Sequence, residues 1–158
     1  MNKKFRTYVD SLTPIKRRIA EEAVREFLAG EAEIINKVDS PKAVYDLCRD
    51  LQLQSDEHAV IVLANQRYGL IKKMEIAKGG LTETCFDVRV VMRECLINNA
   101  TILFLVHNHP SGDTAPSRDD DSLTKKMQDA ARLLRIHLAD HVIVANGNYY
   151  SYQENGRL

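Results

Sequence analysis

Two histidines, His107 and His109, stand one residue apart at the end of the apolar run Thr101–Val106. On a strand, residues i and i+2 point to the same side. Two imidazoles on one face are what a divalent metal needs from one element. Asp120 follows after a loop holding Pro110, Gly112 and Pro116, which can swing a carboxylate back toward the histidines. Two His and one carboxylate leave a coordination position open, the pattern of a catalytic rather than a structural zinc; the same donors also suit iron. Asp113 and Asp119 lie close enough to compete with Asp120. Ser117-Arg118-Asp119-Asp120 before an apolar helical run is also a capping box. Taken alone, the cap is the stronger reading of Ser117 and Asp120. The two readings are compatible, because a capped helix start fixes a ligand's geometry.

A carboxylate near such a metal would act as general base on a water. Glu57, Glu75, Glu83 and Glu94 are candidates, and spacing does not choose among them. Asp140-His141 beside a strand could orient a ligand histidine by hydrogen bonding, although a structural pair at a helix–strand junction is the favoured reading. His58 and His137 have no partners at ligand spacing. Cys48, Cys85 and Cys95 are odd in number and form no C-x-x-C pair, which argues against a disulfide framework and against a cysteine zinc site. Cys95 reads as core packing, and neither of the others sits in a nucleophile pattern.

The elements that must hold these groups are legible from periodicity. Thr13-Pro14 with Ile15, Ile19, Ala23 and Phe27 reads as a capped helix stopping at Gly30. Ser40-Pro41 opens a second, with Val44, Leu47 and Leu51 on one face. His58–Asn65 and Leu70–Ala77 read as a hairpin of buried strands, after which Lys78-Gly79-Gly80 breaks the chain. Asp87–Asn99 is helical, Thr101–Val106 a buried strand, and Asp119–His137 a helix with Leu123, Met127, Ala130, Ala131 and Leu134 on its apolar face. His141–Ala145 and Asn148–Tyr152 flank the hairpin turn Asn146-Gly147. The pattern predicts a mixed sheet flanked by helices, α/β or α+β.

Composition bounds the rest. A chain of 158 residues, 44% hydrophobic and 28% charged, suits one soluble domain. Lys+Arg and Asp+Glu both number 22, so bulk charge argues for neither nucleic acid nor a membrane surface. Lys3, Lys4, Arg6, Lys16, Arg17 and Arg18 make the start basic, which reads as a solvated face, with a nucleic-acid contact as the lesser alternative. No apolar run follows the N-terminus, and the apolar stretches fall far short of the roughly 20 residues of a membrane span. A cytoplasmic, reducing location with no membrane partner is expected.

These residues resemble the JAMM motif of the MPN metalloproteases: a Glu, then His-x-His, seven residues, and Ser-x-x-Asp. From His109 the seven are Pro110 to Pro116, followed by Ser117 and Asp120. The closer resemblance is to the bacterial RadC-like branch, carried by His107-Asn108-His109-Pro110-Ser111-Gly112-Asp113 and Pro116-Ser117. Asp140-His141-Val142-Ile143-Val144, Tyr150-Ser151-Tyr152, Glu154-Asn155-Gly156 and the stretch 35–51 add to it. The resemblance covers 35–158 and leaves 1–34 as an N-terminal helical extension. It implies an MPN/JAMM-like fold with cytidine-deaminase-like layering. It implies a zinc held by His107, His109 and Asp120, with Glu57 deprotonating a zinc-activated water and Ser117 supporting the oxyanion. In this register only Asp120 fits as the carboxylate ligand. The implied activity is zinc-dependent hydrolysis of an amide or isopeptide bond in a peptide or protein substrate; JAMM enzymes often act on linkages to ubiquitin-like tags. Because RadC-like proteins are traditionally linked to DNA repair, a DNA-processing factor or metal-dependent nuclease acting with DNA or repair proteins is the alternative, and a non-catalytic interaction module a second. Two departures stand out. The branch's His-Pro-Arg-Glu is Phe86-Asp87-Val88-Arg89 here, keeping only the Arg, and its Gly-Asp-Pro-Thr-Pro-Ser loop is Gly112-Asp113-Thr114-Ala115-Pro116-Ser117. The helix-hairpin-helix module of longer relatives does not fit in 1–34, where Gly30 is the only glycine, so DNA binding by that route is not expected.

Overall fold

The run His58–Ala64 forms strand β1, and all seven of its residues are buried. Ala59, Ile61 and Leu63 enter one hydrophobic cluster, while Val60, Val62 and Ala64 enter another. An unbroken apolar run is what a central strand covered on both faces requires. In this computed structural model, which describes residues 12–30, 37–79 and 86–158, four more strands complete the sheet. β2 is Leu70–Lys78, β3 Ile102–Asn108, β4 His137–Ala145 and β5 Asn148–Ser151. Their order is β2-β1-β3-β4-β5, with β3 and β4 parallel and the other neighbours antiparallel. The basic residues Lys3, Lys4 and Arg6, the stretch 31–36, and Gly80, Glu83 and Cys85 lie outside the described residues.

Among the described residues four α-helices accompany the sheet: α1 (Pro14–Gly30), α2 (Pro41–Cys48), α3 (Val88–Ile97) and α4 (Arg118–Leu133). α4 is the crossover that a parallel pair such as β3 and β4 demands. Ser40 caps α2 by accepting from the Ala43 N–H at 3.2 Å, and Asp87 caps α3 by accepting from Arg89 at 2.9 Å. Val91, Met92 and Cys95 of α3 and Leu123, Met127 and Ala131 of α4 pack on the Ala59 face. Val44 and Cys48 of α2 pack on the Val60 face. The result is the mixed, helix-flanked sheet that the periodicity predicts. Each Val, Leu or Ile buried in it contributes about 1.5–3 kcal/mol. Among the described residues, no helix is long and apolar enough to cross a membrane.

Two expectations change. β2 is an edge strand rather than a buried one, and Ile71, Lys72, Glu75 and Lys78 are exposed. The fourth helix ends at Leu133 rather than running on to His137, which instead opens β4. Arg135 takes a left-handed conformation (φ 56°), with the Arg135 N–H donating to the Arg132 carbonyl and the Ile136 N–H to Ala131. This is a Schellman stop without the usual glycine, so the sequence carries no visible terminator there. α3 stops in the same way at Asn99 (φ 50°), a residue type that tolerates this conformation.

Candidate metal centre

The parallel pairing of β3 and β4 and the crossover through α4 bring three sequence segments to one end of the sheet. β3 ends in His107-Asn108, and both side chains are buried. His109 follows in a turn whose Gly112 N–H donates to the His109 carbonyl at 3.1 Å. Pro110 sits at the turn's second position and suits it, and Gly112 has a φ of 87°. The turn places the Asp113 carbonyl 2.8 Å from His109 Nδ1. A carbonyl only accepts, so His109 Nδ1 carries a hydrogen, and the neutral ring presents a lone pair at Nε2.

Ser117 is the N-cap of α4, and the capping box is complete. The Ser117 hydroxyl accepts from the Asp120 N–H (3.1 Å) and donates to Asp120 Oδ2 (2.6 Å), while the Ser117 N–H donates to the same oxygen (2.8 Å). The cap therefore aims the carboxylate rather than competing with it. Asp120 Oδ1 lies 3.1 Å from His107 Nε2 and Oδ2 lies 3.5 Å from His109 Nε2. The two Nε2 atoms are 3.0 Å apart. Ligand atoms on a tetrahedral zinc at 2.0–2.1 Å stand about 3.3 Å from one another, so the three groups are spaced to hold one ion.

Electrostatics agree with the geometry. The hydrogen bond to Asp120 raises the His109 pKa above its ordinary value against a partial burial penalty, with the Asp113 carbonyl and the charges of Asp120 and Glu57 adding to it. Burial pushes Asp120 up, but in the metal-free chain a proton shared between it and the facing Nε2 atoms of His107 and His109 outweighs that and holds it far below the usual carboxylate range. A carboxylate so depressed marks a site that favours cations.

Glu57 directly precedes β1. Ala59 pairs with His107 across the β1–β3 ladder; Glu57 stands two residues before Ala59, and its charge acts on His109. Glu57 is half-buried. The other candidates are engaged elsewhere: Glu75 pairs with His58 (3.0 Å) and Glu94 with Arg93 (3.1 Å), while Glu83 lies outside the described residues. Asn108 is a residue whose part the sequence did not disclose. Its Oδ1 accepts from the His58 N–H (2.7 Å) and its Nδ2 donates to the Asp56 carbonyl (2.9 Å), so it grips the backbone on both sides of Glu57. The one available signal was a polar residue between two histidines, facing away from them. Replacing Asn108 by Ala leaves two backbone groups without this partner. We expect a loss of about 2–4 kcal/mol in urea denaturation with metal content unchanged; a variant as stable as the parent would remove Asn108 from this role.

His141 also departs from its favoured reading. It is not at a helix–strand junction but within β4, fully buried, with Nε2 2.9 Å from His107 Nδ1 and Nδ1 2.6 Å from the Thr124 hydroxyl. Burial, reinforced by the charge of His107, holds its pKa well below the ordinary value. His107, Asp120 and His141 also have ligand atoms within 4.8 Å of one another. Both His141 nitrogens are already hydrogen-bonded, whereas His109 Nε2 faces the cluster, so the His107–His109–Asp120 trio is the better candidate for a metal site. Asp140 is a separate anchor, accepting from the His141 N–H, Ser151 Oγ and the Gln153 N–H at 2.6–3.0 Å. Burial pushes the Cys48 thiol up to about 12 and the Cys95 thiol up to about 11, so neither is a nucleophile at neutral pH.

A five-stranded mixed sheet flanked by helices, with a His/Asp cluster at a central strand's end, is a domain of the JAB/MPN type. A profile of the RadC-like JAB domain matches residues 38–157, and the chain belongs to that family. It is 37% identical over 121 residues to a UPF0758 protein of Streptococcus gordonii, covering 77% of this chain and 54% of the relative. It is 38% identical over 122 residues to one of Haemophilus influenzae, with the same two coverages. With one of Actinobacillus pleuropneumoniae it shares 30% over 142 residues, 89% of this chain and 64% of the relative. The chain thus spans little more than half the length of such relatives.

Proposed function

We propose that this chain is a zinc-dependent hydrolase cleaving an amide or isopeptide bond in a peptide or protein substrate. The observation that carries the reading is the convergence of His107 Nε2, His109 Nε2 and the Asp120 carboxylate within 3.0–3.5 Å of one another. Three electron-rich groups so close are satisfied by a shared proton or by a metal cation, and two imidazoles with one carboxylate suit zinc while leaving room for substrate. A zinc ion held there supplies Lewis acidity, polarising a carbonyl and lowering the pKa of water.

The chain's own groups supply the rest. Glu57, whose charge acts on His109, takes the proton of the attacking water and returns it to the leaving amine. Asn108 holds the backbone on either side of Glu57. Ser117 keeps Asp120 oriented, and its hydroxyl supports the oxyanion once its hydrogen turns from Asp120 Oδ2.

The test is a substrate panel of peptides, isopeptide-linked conjugates and DNA, offered to purified protein with and without chelator. Cleavage of an amide or isopeptide substrate, lost with chelator and restored by zinc, is expected. Metal-loaded, folded protein that cuts only DNA would overturn the amide reading in favour of a nuclease. If it cuts nothing, a non-catalytic module is the answer.

A further inference from the structure

Thr124 and His141 are buried side chains that touch the candidate site without serving as ligands. We propose that they form a hydrogen-bond relay fixing His107 as its Nδ1–H tautomer, which leaves His107 Nε2 bare toward His109 and Asp120. The inference rests on the metal site argued above and adds two positioning residues to it.

Counting hydrogens gives the relay its direction. The Thr124 hydroxyl has one hydrogen, and it donates to the Asp120 carbonyl one helical turn back, at 2.6 Å. Thr124 Oγ1 therefore accepts from His141 Nδ1 at 2.6 Å. A neutral imidazole carries one N–H, so His141 Nε2 is an acceptor. The hydrogen in the 2.9 Å contact with His107 Nδ1 then belongs to His107. With Nδ1 protonated, the neutral His107 ring presents its lone pair at Nε2. Every donor in the chain meets an acceptor, and the chain closes on the backbone of Asp120, whose carboxylate completes the site. The reverse arrangement puts a hydrogen on His107 Nε2, which blocks ligation, and turns the Thr124 hydroxyl away from the Asp120 carbonyl.

Packing holds the rings in register for this exchange. Tyr152 stacks on His141 at 5.0 Å and 11°, and the Tyr152 hydroxyl is tied to Asp121 at 2.8 Å. Phe86 meets His141 and His107 edge-on at 5.9 and 6.3 Å. In the parallel β3–β4 ladder His141 pairs with Leu105, two residues before His107. A ligand histidine whose other nitrogen is fixed by a partner is a recurrent device, and losing such a partner lowers metal affinity by about 10–100-fold.

The test reads the ring nitrogens by long-range proton–nitrogen correlation NMR on the whole chain, metal-free and zinc-loaded. In both forms the hydrogen is expected on Nδ1 of His141, with Nε2 bare, and on Nδ1 of His107. A hydrogen on His141 Nε2 in either form overturns the relay. Zinc competition titrations give the second readout. Thr124→Val is expected to weaken zinc about 10–100-fold, and Thr124→Ser to recover most of that. A folded Thr124→Val with parental affinity also overturns the relay. If Thr124→Val fails to fold, the tautomers and the Ser variant decide. If the parent takes up no zinc, the metal reading falls, and the metal-free tautomers still decide the relay.

Discussion

Glu57→Gln is expected to lower kcat on an amide substrate by about 10²–10⁴-fold, the range that a positioned general base contributes. Glutamine keeps the shape of the side chain and one acceptor oxygen but cannot take a proton at neutral pH. Zinc content and thermal stability should stay near parental, because Glu57 is not among the three groups that converge on the site. KM should change little if Glu57 acts only on the attacking water. The measurement is steady-state kinetics with elemental analysis of the same samples. Unaltered kcat would remove Glu57 from catalysis and direct attention to another carboxylate. Loss of zinc together with activity would show Glu57 acting through the metal site rather than on water.

How far such a site can be read before folding depends on the kind of information each residue carries. The His107/His109 spacing is local, and a strand turns it directly into a shared direction. Ser117 and Asp120 are likewise local, since the capping box fixes both within one turn of α4. Periodicity also placed β1, β3 and α4 within a few residues, because each has a clear apolar face. Glu57 is a different case. From the residues alone it stood level with Glu75, Glu83 and Glu94; the resemblance singled it out, and the β1–β3 register supplies the physical reason for its position. His141 and Thr124 were hidden because their roles depend on contacts between β3, β4 and α4, separated by 34 and 17 residues along the chain. Asn108 bonds across 50 residues, and no window of sequence reveals that. The helix end at Leu133 was misplaced for another reason: its stop uses a left-handed arginine, a conformation that a side chain of this type rarely adopts.

His109→Ala is expected to reduce zinc from about one ion per chain to almost none, because it removes one of the three proposed protein ligands. The same substitution should also change the response to pH. In metal-free protein the His109 pKa is raised, chiefly by its hydrogen bond to Asp120. Its stabilising contribution is therefore complete below the unfolded histidine value of about 6.5 and is lost as pH rises through the raised folded value. Asp120 is depressed, so its contribution is present above the unfolded carboxylate value and is lost only as pH falls through the folded one. Together they support the metal-free fold in a window between those limits. Zinc reverses the upper limit: ligation needs His109 deprotonated, so the ion competes with a proton and binds more tightly as pH rises. At free zinc near 100 times Kd, the bound ion adds about 2.7 kcal/mol, a rise in Tm of about 5–10 °C for a chain of this size. With free zinc held fixed, that rise should grow from about pH 6 to about pH 8 in the parent and vanish at both in His109→Ala. Thermal melts with and without zinc, at both pH values, measure this directly. A variant that keeps both its zinc and its pH-dependent shift would place the metal elsewhere and dissolve the argument built on the three converging groups.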